Sequence, residues 1–116
     1  MKWFDYENPK TLSEATALLT KYGDDACLIA GGTDLIVQMR IGRRTPKVIV
    51  NTKSIAEINE LTCGNSGLTI GAAVPCYKIY QHPEIPIMYP GIVDSASLIG
   101  GIQIQGRATL GGNLCN

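Results

Sequence analysis

Two glycine pairs carry the residues whose types and spacing could bind a ligand. The first pair, Gly31-Gly32, follows the apolar Leu28-Ile29 and precedes Thr33-Asp34. In a turn between a strand and a helix, glycines permit positive φ and leave backbone N–H groups unobstructed. Thr33 or Asp34 could cap the helix that follows. This stretch predicts an anion-binding turn suited to phosphate or pyrophosphate, although a glycine pair can also be only a turn.

A second glycine pair near the C-terminus repeats the pattern. Gly111-Gly112 lies between Thr109-Leu110 and Asn113, beside a hydroxyl and a side-chain amide. Two separate runs of backbone N–H groups could bind a diphosphate from opposite sides without any lysine. The two pairs together therefore predict a diphosphate clamp.

Other reactive residue types form no recognisable site. Four cysteines lie far apart and match no CxxC metal or iron–sulfur spacing: Cys27, Cys63, Cys76 and Cys115. We interpret them as reduced core thiols. His82 precedes Pro83 and has no neighbouring ligand residue. The sequence thus predicts no catalytic residue and no metal site.

Charge and composition narrow the class of protein. Ten basic and ten acidic residues cancel, and one Trp and one Phe provide no surface for nucleic acid. A local basic cluster, interpreted as a solvated loop, comprises Arg40, Arg43, Arg44 and Lys47. No apolar run approaches the roughly 20 residues of a membrane span, and the polar and aromatic opening is unlike a signal peptide. We expect a soluble, cytoplasmic protein.

The elements before residue 55 predict a small βαβ unit. An aromatic strand at 3–6 ends at Asn8-Pro9, and a helix begins with a Thr11–Glu14 capping box and ends at Gly23. A strand at 27–30, a helix at 35–41 and a buried strand at 48–51 follow. If the two apolar strands are parallel, the first glycine pair lies at a carboxyl end, where ligands bind. Residues 1–54 are predicted to form an N-terminal α/β subdomain.

From residue 55 the pattern predicts the start of a second α+β subdomain, over residues 55–116. It opens with a β-hairpin turning at 64–67, and a short helix begins after Pro75. Pro86 and Pro90 are predicted to frame a loop, followed by a helix at 92–99 and a strand at 102–105. A helix is expected to follow Gly111-Gly112, where only four residues remain. We therefore expect the chain to be a fragment.

Four motifs in this order resemble the FAD-binding medium subunit of molybdenum hydroxylases, the xanthine and carbon monoxide dehydrogenase group. The resemblance covers the whole chain. The motifs are Phe4-x-Tyr6-x-x-Pro9-x-Thr11-Leu12-x-Glu14-Ala15, Ala30-Gly31-Gly32-Thr33-Asp34-Leu35, Leu68-Thr69-Ile70-Gly71-Ala72 and Thr109-Leu110-Gly111-Gly112-Asn113. Gln105-Gly106 departs from the Arg-Asn pair that family members often have, which leaves the role of these two residues open.

The resemblance implies the two-subdomain FAD-binding fold of the vanillyl alcohol oxidase type. It also implies that FAD receives electrons from a molybdopterin subunit through the 2Fe-2S clusters of another, and passes them to NAD or another acceptor. Substrate oxidation would then occur on the partner subunit. The FAD-binding residues implied are Leu28, Ile29, Ala30, Gly31, Gly32, Thr33, Asp34, Leu35, Ile99, Gly100, Ala108, Thr109, Leu110, Gly111, Gly112 and Asn113.

Two other classes of protein remain open at this point. The chain could be an FAD-dependent reductase related to the UDP-sugar reductase flavoproteins, which share the two-loop FAD site. It could also be a non-catalytic assembly piece whose glycine turns only connect elements. Bound flavin would exclude the second alternative, and co-purifying iron–sulfur and molybdopterin subunits would exclude the first.

Overall fold

The computed structural model describes residues 1–116 and contains two separate sheets. The first sheet consists of β1 (Asp5–Glu7), β2 (Ala26–Ile29) and β3 (Val48–Asn51), in the spatial order β1-β3-β2. Both pairings are parallel, as predicted for the apolar strands. The four residues of β3 are all buried because this central strand has a neighbour on each side. The βαβ unit predicted from the sequence is confirmed.

Two helices belong to this sheet, and their ends follow local signals. Helix α1 (Leu12–Tyr22) begins where the Thr11 hydroxyl accepts a hydrogen bond from the Glu14 backbone N–H at 3.1 Å, and it ends at Gly23, before a 3₁₀ turn. The Glu14 carboxylate accepts from the backbone N–H of Lys10, one residue earlier than a capping box requires. Helix α2 (Leu35–Arg40) connects β2 to β3.

The second sheet is the predicted hairpin, β4 (Leu61–Gly64) and β5 (Gly67–Ile70), joined through Asn65-Ser66. A 3₁₀ turn at Ala56–Ile58 precedes it. Five short helices follow: α3 (Cys76–Tyr80), α4 (Ile85–Met88), α5 (Pro90–Ser97), α6 (Ile102–Gln105) and α7 (Leu110–Leu114). None of the helices is both long enough and apolar enough to cross a membrane.

The buried side chains form separate clusters. Ala15 of α1 packs on Val48 and Val50 of β3, and Ile55 completes this cluster. Val74, Ile79 and Ile85 form another beneath the hairpin, and a third consists of Cys76, Ala96 and Ala108. The first cluster includes Ile55 and therefore crosses the predicted boundary at residue 54. The division into two subdomains stays a prediction.

The prediction of a loop framed by Pro86 and Pro90 is wrong. Pro86 lies in the first turn of α4, and Pro90 is the first residue of α5. Proline is well suited to a helix start because its missing N–H has no partner there in any case. Ile85, which is fully buried, fixes α4 against the second core.

The prediction of a strand at 102–105 is also wrong, because this segment is α6. Alternating Ile and Gln would form a strand with its isoleucines buried, yet Ile102 is 80% exposed and Gln105 is buried. The Gln105 amide donates to the carbonyls of Ser97 (2.7 Å) and Gly100 (3.2 Å). These hydrogen bonds compensate for burying the amide and favour a helical turn over an extended strand.

Candidate functional site

Both glycine pairs line one cleft of about 470 Å³. We call residues 30–35 the first glycine loop and residues 106–113 the second glycine loop. The first loop leaves the carboxyl end of β2, which is fixed because Thr52 donates from both its N–H and its hydroxyl to the Ile29 carbonyl, each at 3.0 Å. The second loop is held where Cys76 N–H donates to the Ala108 carbonyl at 2.8 Å.

Most of the residues predicted to bind the cofactor line this cleft. The lining residues among them are Leu28, Ile29, Ala30, Gly31, Gly32, Thr33, Asp34, Leu35, Ala108, Thr109, Gly111, Gly112 and Asn113. Leu110 packs instead on the second and third cores, and Ile99 packs on the third. Gly100 lies in the exposed turn after α5, outside the cleft. A role for Ile99 and Gly100 beside the flavin stays a prediction.

Gly31 is the point at which the two loops touch. A Cβ at this position would overlap the carbonyl oxygen of Arg107 and would lie 2.7 Å from its carbonyl carbon and 3.1 Å from the Cα of Ala108. The Arg107 Nε–H also donates to the Gly31 carbonyl at 3.0 Å. The missing side chain at Gly31 therefore allows one loop to pack on the other, a contact that no local sequence pattern predicts.

Gly32 differs from Gly31 in its backbone conformation. Its φ is +77°, the left-handed region that strongly favours glycine, whereas Gly31 is not among the residues with positive φ. A Cβ at Gly32 would lie 3.0 Å from Ile29 Cδ1 and 3.1 Å from Ile36 Cδ1. Of the two glycines that permit positive φ, only Gly32 therefore adopts it.

The first glycine loop presents backbone donors that have no acceptor within the chain. The N–H groups of Gly31, Gly32, Thr33, Asp34 and Leu35 make no intramolecular hydrogen bond. The Asp34 side chain does not cap α2, contrary to one of the predictions, and accepts instead from the Gln38 side chain. Neither Thr33 nor Asp34 competes for these donors. Consecutive free N–H groups of this kind form an anion-binding surface.

The second loop presents its donors through the first turn of a helix. Helix α7 begins at Leu110, so Gly111-Gly112 lies inside it, whereas the sequence pattern predicts the pair before it. The Thr109 hydroxyl accepts from Gly112 N–H at 2.9 Å, which leaves the N–H groups of Leu110 and Gly111 free. A Cβ at Gly111 would lie 2.6 Å from the Ala72 carbonyl oxygen, so this glycine allows the loop to pack on the chain after β5.

Nine further residues line the cleft that the sequence did not indicate: Leu12, Gln38, Arg44, Thr52, Ile58, Ala72, Ala73, Cys115 and Asn116. Arg44 belongs to the cluster interpreted as a solvated loop, and its guanidinium approaches Cys27 Sγ at 3.8 Å. The predicted clamp consists of backbone groups alone, whereas in the structure the Arg44 side chain adds a positive charge to the cleft. Cys115 is exposed, so the prediction of four core thiols is wrong for this residue.

Positive charges also gather outside the cleft, beside the second loop. Burial lowers the pKa of Lys53, and repulsion from Arg107 and then Lys78 lowers it further. These three side chains are exposed and are not among the residues that line the cleft. No group of three or more His, Cys, Asp or Glu side chains is arranged to hold a metal ion.

Comparisons with known proteins agree with this geometry. The family model "FAD binding domain in molybdopterin dehydrogenase" matches residues 2–116. The β subunit of caffeine dehydrogenase from Pseudomonas sp. (strain CBB1) is 33% identical over 97% of this chain and 38% of its own length. The nicotinate dehydrogenase FAD-subunit of Eubacterium barkeri is 36% identical over 98% of this chain and 39% of its own.

A solved structure gives the same result. The carbon monoxide dehydrogenase of Hydrogenophaga pseudoflava, in a form lacking the Mo-pyranopterin moiety of its cofactor, superposes with a TM-score of 0.91. It is 31% identical, and the match covers 97% of this chain and 39% of that one. The chain belongs to the family of FAD-binding domains in molybdopterin dehydrogenases. It spans about two fifths of the length of the curated relatives it matches.

Proposed function

We propose that this chain is the FAD-binding part of the medium subunit of a molybdenum hydroxylase, and that its two glycine loops hold the FAD diphosphate. The observation that carries the proposal is the set of free N–H groups at residues 31–35 and at Gly111, presented by two loops that line a single cleft. A diphosphate carries charge on both phosphoryl groups, and each group suits one run of donors.

The residues present fit this group. Gly32 and Gly111 bring backbone to the cleft wall without a side chain, and Thr33 adds a hydroxyl to the first loop. Arg44 supplies a cation, whose guanidinium can donate to phosphate oxygens. The apolar side chains of Leu28 and Leu12, also in the lining, suit the uncharged parts of a dinucleotide. In this proposal the predicted binding residues of both loops keep their assigned role.

The activity of the whole protein follows as part of the same proposal. FAD, when bound, accepts and passes on electrons, and the chain's own contribution is to bind and orient it. We propose that the electrons come from a molybdopterin-binding subunit through a 2Fe-2S subunit and leave to NAD or another acceptor. In this arrangement the substrate is oxidised on the partner subunit. The vanillyl alcohol oxidase type of fold and a cytoplasmic location belong to the same proposal.

The test is flavin binding by the intact protein that contains this chain. We expect the purified protein to show a flavin absorption band and to release FAD on denaturation, in a complex with subunits containing iron–sulfur and molybdopterin. A protein that neither contains nor binds FAD would favour the assembly role. FAD without those partner subunits would instead favour a reductase related to the UDP-sugar reductase flavoproteins.

A further inference from the structure

Arg107 makes a contact that the family assignment does not explain. Its side chain reaches across 76 positions of sequence to donate from Nε to the Gly31 carbonyl at 3.0 Å. Arg107 is exposed and is absent from the residues that line the cleft. A guanidinium that acts on a bound phosphate directly would be expected to line the site, as Arg44 does. The contact with Gly31 therefore indicates that Arg107 acts on the site indirectly.

The carbonyl that Arg107 holds belongs to the same peptide unit as the N–H of Gly32. In a trans peptide these two groups point in opposite directions. Fixing the Gly31 carbonyl toward Arg107, which lies outside the cleft lining, directs the Gly32 N–H the other way. Gly32 lines the cleft and its N–H has no acceptor in the chain. The hydrogen bond from Arg107 thus determines whether this peptide unit presents its N–H or its carbonyl oxygen to the cleft.

The two glycines that flank this peptide leave its orientation free to change, so the observed orientation needs support. Rotating a peptide plane changes ψ of the residue before it and φ of the residue after it together. In the observed orientation Gly32 has φ +77°, a value that glycine adopts without a steric penalty. Glycines on both sides allow the plane to rotate with little steric hindrance. In the reversed orientation the Gly31–Gly32 peptide would present its carbonyl oxygen to the ligand, and this oxygen would repel an anion.

We propose that Arg107 is a positioning residue for the diphosphate site: by holding the Gly31 carbonyl, it keeps the Gly31–Gly32 peptide turned so that the Gly32 N–H faces the ligand. The inference rests on the proposed function, because it needs a diphosphate in the cleft. It assigns Arg107 no contact with the ligand. Arg107 belongs to the second glycine loop and acts through the first.

The test compares Arg107→Met with Lys78→Met in the intact protein, using ADP, FAD and riboflavin as probes. Both variants remove one exposed cation, and both cations act on Lys53, but only Arg107 bonds to the first loop. We expect Arg107→Met to weaken ADP and FAD binding by about ten- to a hundredfold, the range for a hydrogen bond to a charged group. Riboflavin, which has no diphosphate, should bind unchanged, and Lys78→Met should bind all three normally.

If the wild-type protein binds ADP, either of two results would overturn the proposal. One is an unchanged ADP affinity in Arg107→Met, and the other is an equal loss in both variants, since that would mean that charge alone matters. If Arg107→Met does not fold, Arg107→Ala replaces it. This variant also removes the Nε donor, so weaker ADP binding than in Lys78→Ala supports the proposal, and equal ADP binding in the two variants overturns it. A wild-type protein that binds neither ADP nor FAD would contradict the proposed function itself.

Discussion

Replacing Gly31 by alanine places one methyl group in the contact between the two glycine loops. The new Cβ would overlap the Arg107 carbonyl oxygen and lie 2.7 Å from its carbonyl carbon and 3.1 Å from Ala108 Cα. All three are backbone atoms, so no change of side-chain rotamer can relieve the overlap. The loops must move apart, which also weakens the Arg107–Gly31 hydrogen bond.

The size of the effect follows from these two losses. Inserting a methyl group into a packed contact costs about 1–3 kcal/mol, and a lost hydrogen bond adds about 1 kcal/mol. We expect Gly31→Ala to lower the free energy of unfolding by about 2–4 kcal/mol, out of a total on the order of 5–15 kcal/mol for a typical domain. FAD affinity should fall at least about tenfold, because the separated loops must be brought together again on binding.

The assays are denaturant unfolding of the apoprotein and titration with FAD. Gly91→Ala is the matched control, because Gly91 lies in α5 with open space at its Cβ position and without positive φ. This control should be neutral or slightly stabilising, with unchanged FAD affinity. If Gly31→Ala matched the control in both assays, the loops would not be in the contact described here.

Three further predictions use other residues of the site and the core. Gly32→Ala and Gly42→Ala should each cost about 1–2 kcal/mol of stability, since both glycines have positive φ, but only Gly32→Ala should weaken FAD binding; equal FAD affinities would contradict this. Thr109→Val, which removes the hydroxyl that caps α7, should lower stability by about 1 kcal/mol and FAD affinity with it, and unchanged calorimetric melting would argue against the cap. Burial raises the pKa of Cys76. When the pH rises above the ordinary pKa of a thiol, the unfolded chain therefore releases the Cys76 proton while the folded chain keeps it, and the wild-type free energy of unfolding should fall. Cys76→Ala should lack this fall, and in the native protein a thiol reagent should modify the exposed Cys115 before Cys76.

The parts of the fold that the sequence predicts depend on local signals. Thr11 and Gly23 mark the two ends of α1 because caps and stops involve neighbouring residues. The apolar runs of β2 and β3 predict a parallel pair, and that pairing puts Gly31-Gly32 at a carboxyl end. The repeated glycine pattern also predicts that the two pairs share a site, and in the structure both line one cleft.

The parts that the sequence does not predict depend on distant contacts. Ile102–Gln105 has a strand pattern, but the amide of Gln105 finds its acceptors on Ser97 and Gly100, which makes the segment helical. The contact of Gly31 with Arg107 spans 76 positions, so no local pattern reveals it. Ala72 and Arg44 enter the cleft for the same reason: the fold brings them there, and neither residue type by itself indicates a ligand.

Amide hydrogen exchange of the intact protein with and without FAD tests the central claim most directly. The claim is that free N–H groups from both glycine loops bind one diphosphate. It predicts that FAD slows exchange in two separate segments, residues 31–35 and the start of α7 at Gly111, while the exposed hairpin turn at Asn65-Ser66 is unaffected. FAD binding that protects only one of these segments, or neither, would contradict the two-loop site.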